Sequence, residues 1–185
     1  MASAPDDWES LGALEQFPTV LHARGSFLYD IHTDSLQKIV ISAMAGLQKD
    51  GRRTKITVAD RPGYFDGIVK FRLGIANGDG FDVLDPNEED RVLKRIENMG
   101  PFNILDLAFD LDYKINDSML HKVHRDRYIL RLVFQPGRFE ILVHHLKGLR
   151  RVEPDELVHL FIDKINSVLA RGRHSQVELE SLNST

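Results

Sequence analysis

Asp106, Asp110, Asp112 and Lys114 occupy alternate positions of the stretch 102–114, and Leu105, Leu107, Phe109, Leu111 and Tyr113 occupy the positions between. Side chains repeat every two residues along a strand, so the three acids and the lysine project from one face. Carboxylates gathered there could supply oxygen ligands to Mg²⁺ or Mn²⁺. A neighbouring lysine could then orient or protonate a phosphate. The same pattern describes a solvent-facing strand whose acids pair with Arg127 or Arg131 across a sheet, each pair contributing about 0.2–1 kcal/mol. Alternation of this kind is ordinary in antiparallel sheets, and the pairing arrangement is the one preferred here.

The tripeptide Asp112-Tyr113-Lys114 resembles the D-x-K element of metal-dependent nucleases of the restriction-endonuclease type. The resemblance is to this tripeptide alone, and no upstream partner accompanies it. It implies a phosphodiester hydrolase working through Asp106, Asp110, Asp112 and Lys114, with Mg²⁺ or Mn²⁺ as its cofactor.

Charge is unevenly distributed. Residues 79–112 hold ten acids and three bases, a net of −7, whereas 121–151 hold eight bases and two acids, a net of +6. Arg125, Arg127, Arg131, Lys147, Arg150 and Arg151 could contact a phosphate backbone through counterion release. Tyr128, Phe134 and Phe139 interleave with them, but the hairpin register described below places all three on the core side, away from bases. Mutual neutralisation of the basic segment and the acidic strand is the simpler expectation.

Eight histidines are present, and His121-Lys122-Val123-His124 would chelate a metal if helical. Zinc requires further ligands, and spacing supplies none. His144 and His145 are adjacent on a strand and face opposite ways. Asn77–Asp82 imitates the start of a calcium loop but has Phe81 and Asp82 where an oxygen ligand and glycine are needed. No phosphate-binding loop, dinucleotide fingerprint, nucleophile elbow or HExxH is present.

The elements that must position these residues follow from periodicity. A helix over 35–49, capped by Asp34 or Ser35, carries Leu36, Ile39, Val40, Ala43, Met44 and Leu47 at helical spacing. Strands are expected at 27–31, 55–59, 67–76 and 81–84. Asp85, Pro86 and Glu88 open a helix over 86–99 with capping-box spacing. The long strand 102–114 follows. Residues 127–146 form a hairpin about Pro136-Gly137, with facing pairs Phe134/Phe139, Leu132/Ile141, Leu130/Val143 and Tyr128/His145. Its other face pairs Val133 with Glu140, Arg131 with Leu142, Ile129 with His144 and Arg127 with Leu146. The aliphatics Ile129, Val133, Leu142 and Leu146 on that face suggest cover by a helix, a neighbouring segment or a second subunit. A last helix spans 154–170.

Short connections favour antiparallel pairing. The fold class expected is α+β, one antiparallel sheet of five or six strands with about three helices mainly on one face. Residues 1–16 read as an acidic, loose arm, 17–172 as a single domain and 173–185 as a polar, frayed tail.

The chain has 185 residues and a formal charge of −4. Hydrophobic residues make up 42%, which argues against wholesale disorder. The absence of cysteine removes disulfide scaffolds, thiolate nucleophiles and iron–sulfur sites. No signal-like start and no long apolar run occur, so a cytoplasmic location without membrane insertion is expected. The functional expectation is a non-enzymatic binding or adaptor domain acting in a homo-oligomer or larger complex. The metal-dependent hydrolase and a nucleic-acid binder are the alternatives.

Overall fold

The computed structural model describes residues 8–50, 69–114, 123–150 and 152–185. Its strands are β1 (Ala23–Leu28), β2 (Val69–Asn77), β3 (Gly80–Val83), β4 (Ile104–Lys114), β5 (Val123–Gln135), β6 (Arg138–Lys147) and β7 (Glu178–Ser184). Its helices are α1 (Thr33–Asp50), α2 (Pro86–Met99) and α3 (Pro154–Arg171). The strands form one antiparallel sheet in the order β3-β2-β4-β5-β6-β1-β7. The class is α+β with three helices, as expected, but the sheet has seven strands rather than five or six. The expected strand 55–59 and the histidine pair's first member, His121, lie outside the described residues.

The core forms where the apolar phase of each strand meets the helices. Val69, Phe71, Leu73 and Ile75 of β2 are buried, as are Leu105 to Tyr113 at alternate positions of β4. Tyr128, Leu130, Leu132 and Phe134 of β5 and Phe139, Ile141 and Val143 of β6 continue this layer. Leu36, Val40, Met44 and Leu47 of α1 join it, with Leu157, Phe161, Ile165 and Leu169 of α3. The helix α2 contributes Val92 and Ile96, whereas Met99 at its end is exposed.

Two buried or half-buried glutamines on α1 lock backbone that the sheet leaves open. Gln37 donates to Phe102 O at 2.7 Å and accepts from Phe102 N–H at 2.8 Å. Gln48, three turns on, donates to Leu84 O at 2.9 Å and accepts from Leu73 N–H at 2.8 Å. A buried amide is tolerated because both of its ends are satisfied.

The start of α2 differs in detail from a capping box. Asp85 does accept from Asn87 N–H and Glu88 N–H, both at 2.9 Å. The Glu88 carboxylate turns instead to Arg91, 3.2 Å away. The hairpin register holds from Phe134/Phe139 to Tyr128/His145. It shifts at the next step, where Arg127 lies opposite Lys147 and not Leu146, because a bulge inserts one residue. At the turn, Gly137 has φ +75°, the left-handed value that a type II turn requires there.

The two chain ends depart most from expectation. Residues 173–185 are not frayed: β7 pairs along β1. Val177 is buried just before it and is clipped by Asn166 of α3, which accepts from Val177 N–H at 2.8 Å. At the other end, the described part of the arm is fixed. Gly12 sits between the splayed ends of β2 and β4, donating to Ala76 O and accepting from Asp106 N–H, each at 2.7 Å. Leu11 is buried. The chain then crosses the sheet on the face opposite the helices.

Candidate functional site

That second face carries most of the residues that the sequence singles out. Direct cross-strand register sets Asp106 opposite Arg131, Asp110 opposite Arg127 and Asp112 opposite Arg125. Each pair is a two-pronged fork. Arg131 Nε and Nη2 donate to the two oxygens of Asp106 at 2.7 and 2.6 Å. Arg127 holds Asp110 at 2.5 and 2.6 Å, and Arg125 holds Asp112 at 2.5 and 3.0 Å. Asp112 also meets Arg72 of β2 at 3.4 Å. Hydrogen bonding to Arg125 holds the Asp112 carboxyl below its ordinary range.

The three pairs differ in burial. The Asp106 side chain has no exposed surface and that of Arg131 is 20% exposed. Asp106 accepts a third hydrogen bond, from Leu14 N–H at 2.8 Å. The Phe17 ring covers the Arg131 guanidinium, 4.3 Å from its centroid. Arg125 and Arg127 stay about half exposed. The acids and the arginines proposed as separate sites are therefore one charge ladder. The carboxylates could ligate a cation only by giving up their arginines. Lys114 enters β4 through its backbone, and its side chain lies outside the described residues, as does Arg151. No group of three or more His, Asp or Glu among the described residues is placed to hold a metal.

The aliphatic residues of this face are covered in part by the chain itself. Residues 8–22 run from the β2–β4 gap, over Arg131, to His144, whose Nδ1–H donates to Val20 O at 2.7 Å. Ile129, directly opposite His144 and two residues from Arg131 on β5, is 5% exposed and is not part of an open surface. Val133 and Leu142 are half-buried, and Leu146 is 50% exposed. A neighbouring segment thus provides the cover that a second subunit was also expected to provide.

A second polar cluster was missed from sequence. Asp126 lies on the core phase of β5 and is fully buried, accepting from Tyr113 O–H at 3.1 Å. Tyr128 O–H donates to Val152 O, and burial pushes its phenol well above the ordinary value. His145 stands 5.0 Å from the Tyr128 ring, and its backbone N–H donates to His22 Nδ1 at 3.0 Å. His22 also lies 5.2 Å from His144. Burial lowers the affinity of His22 and His145 for protons, and Arg150 acts in the same direction on both. Arg150, expected at a nucleic-acid surface, instead donates to the Thr185 carbonyl and faces Glu153 at 3.6 Å. This cluster ties together the end of the hairpin, Arg150, Val152 and Thr185. The signal for it was present: extending the Tyr128 phase by two residues puts Asp126 inside.

Comparison of the chain with known protein families, with curated proteins and with solved structures finds no match.

Proposed function

We propose that the chain is a non-enzymatic binding domain that acts in a homo-oligomer or a larger protein complex. The observation that carries this reading is the charge ladder. Asp106, Asp110 and Asp112 are each held by an arginine fork, so the most reactive-looking residues of the sequence are engaged in structure. What this face presents to solvent is guanidinium edges beside the half-buried Val133 and Leu142 and the exposed Leu146. Arginine next to apolar surface is a composition enriched at protein interfaces.

The hydrolase reading asks the same carboxylates to exchange arginine for metal. The nucleic-acid reading asks Arg125, Arg127 and Arg131 to exchange aspartate for phosphate. Neither has a second observation in its favour.

The test is a pull-down of the tagged chain from host lysate, with and without nuclease, read by mass spectrometry and accompanied by light scattering of the purified chain. A nuclease-resistant partner or a defined oligomer is expected. A monodisperse monomer that captures nothing rejects the proposal, and partners lost on nuclease treatment would favour the nucleic-acid reading.

A further inference from the structure

The strand β7 ends the row of seven, and no described strand pairs with its outer edge. Its pairing with β1 fixes which backbone groups point outward. Thr185 N–H donates to His22 O at 3.0 Å, and Asn183 and Ser181 face Arg24 and Ser26. Antiparallel ladders alternate, so residues 185, 183 and 181 turn their backbone groups toward β1. Those of Leu182 and Ser184 point away from it. An unpaired row of donors and acceptors is a template for one more strand.

The surroundings of this edge have a distinct chemistry. Apolar surface is exposed at Leu179 and Leu28, 53% and 41% respectively. A groove of about 230 Å³ adjoins the start of β7 and is lined by Leu28, Tyr29, Asp30, Ser175, Gln176 and Glu178. Its lining holds two carboxylates and no cation. Neither Asp30 nor Glu178 belongs to an ion pair among the described residues, whereas Glu180 is held by Ser26 and Arg138.

We infer that the outer edge of β7 receives an extended segment of a partner protein, which adds an eighth strand and brings a lysine or arginine to the groove beside Asp30 and Glu178. The inference rests on the binding-domain reading and gives it a location and a partner chemistry. Charge selects this occupant over a second copy of the chain. Two β7 edges would bring four glutamates together, and registers centred on residue 179 or 180 would set acids directly opposite one another, which destabilises a strand pair. A basic segment reverses that sign.

The test presents the full chain, immobilised, to a display library of random twelve-residue peptides. Selected peptides are then synthesised, and their affinities are measured by fluorescence anisotropy. Alternating β-branched sequences with Lys or Arg toward one end are expected. Ser184→Pro removes an outward N–H that the β1 ladder does not use, so it leaves the fold intact. It is expected to weaken binding by about tenfold or more, the loss of roughly one good hydrogen-bonded contact. Asp30→Lys combined with Glu178→Lys changes only exposed side chains and is expected to weaken basic peptides similarly, whether or not the proline variant folds. No enrichment over bare support, unchanged binding to the double lysine variant, or selection of acidic peptides overturns the inference. A dimer dissolved by Ser184→Pro would give the edge to a second copy and overturn it too. Capture of a partner that survives both variants leaves the binding-domain reading standing and removes this site from it.

Discussion

Replacing Asp106 by asparagine tests whether the ladder is structure or chemistry. The substitution preserves volume, so it opens no cavity. It removes one charge and turns an amide N–H₂ toward the donors of Arg131, which now grip Asp106 at 2.6 and 2.7 Å. Breaking one side of a buried ion pair typically costs about 3–5 kcal/mol, because the other charge is left desolvated. The Arg131 side chain keeps 20% exposure and the cover of the Phe17 ring, which places the loss at the low end, about 3 kcal/mol. For a chain of this size that is a fall in Tm of roughly 6–12 °C. Asp112→Asn is the control, since Arg125 is 55% exposed. Its Tm is expected to stay within a degree or so of the parent, with any difference vanishing in 1 M salt, where charges are screened over about 3 Å. Calorimetry at two salt concentrations measures both variants. Asp106→Leu with Arg131→Met should recover most of the lost stability, as a buried pair replaced by apolar volume often does. An Asp106→Asn protein as stable as the parent refutes the reasoning. It would mean that this carboxylate does not hold the face together and is available as a ligand.

Two further predictions follow from the polar cluster at the end of the hairpin. His22 and His145 are held below the ordinary histidine value chiefly by burial, with Arg150 adding to the effect on both and Asp126 opposing it at His145. The unfolded chain therefore takes up protons as pH falls through about 6.5 while the folded chain does not, and stability is full above that pH and declines below it. Thermal unfolding between pH 8 and 5 should show this decline. His22→Asn, whose Oδ1 can accept from His145 N–H without titrating, should make it shallower, and an unchanged slope would show that His22 is not responsible. Gly148 has φ +110°, and a Cβ there would lie 2.1 Å from Asp126 Oδ1 and 2.5 Å from Arg125 O. Gly148→Ala should lower the urea-unfolding free energy by more than about 2 kcal/mol, from backbone strain and steric conflict together. Gly80→Ala meets nothing within 4 Å and should change it little.

The parts of this fold that were legible in the sequence are those governed by local periodicity. The hairpin pairs from Phe134/Phe139 to Tyr128/His145 followed from the turn and from alternation, and failed only at Arg127, where an inserted residue resets the count. That acids of β4 meet Arg127 and Arg131 was readable, because strand phase fixes which side chains share a face; which acid meets which arginine is set by the β4–β5 register. Local misreadings are small: β1 runs over Ala23–Leu28 rather than 27–31, and α1 starts at Thr33, ahead of the expected cap at Asp34 or Ser35. The larger misreadings concern contacts between distant segments. Nothing local in Glu178–Ser184 marks a strand, since only Leu182 packs toward the core; β1 supplies the edge that makes it one. The placing of Gly12 and Leu14 against Asp106 spans more than ninety residues of chain, and its partners are backbone groups without a composition signal. Asp126 was overlooked because a charged residue on a core phase is costly unless its partners, here including Tyr113, are known.

Charge also helps to decide which strands become neighbours. Across β2, β4 and β5 the sign on the open face alternates: Lys70 and Arg72, then Asp110 and Asp112, then Arg125, Arg127 and Arg131; β6 carries both signs, with Arg138 beside Glu140 and Lys147 opposite Arg127. The hydrophobic pattern cannot supply this order, because each of β2, β4 and β5 offers the core a similar row of large apolar side chains. Exchanging β4 and β5 would set the bases of β2 directly against those of β5, and like charges in facing positions destabilise a strand pair. Sliding β4 by one residue against β5 would put Leu105, Leu107 and Phe109 among the arginines. The forks therefore act against wrong sheets more than they strengthen the right one, since exposed pairs contribute little each. On this account, neutralising Arg125, whose partner Asp112 keeps Arg72, should leave the folded state nearly as stable while slowing its formation, as β4 samples incorrect neighbours. Refolding kinetics after urea dilution would show it, and an unchanged folding rate would restrict the ladder's role to the buried Asp106–Arg131 pair.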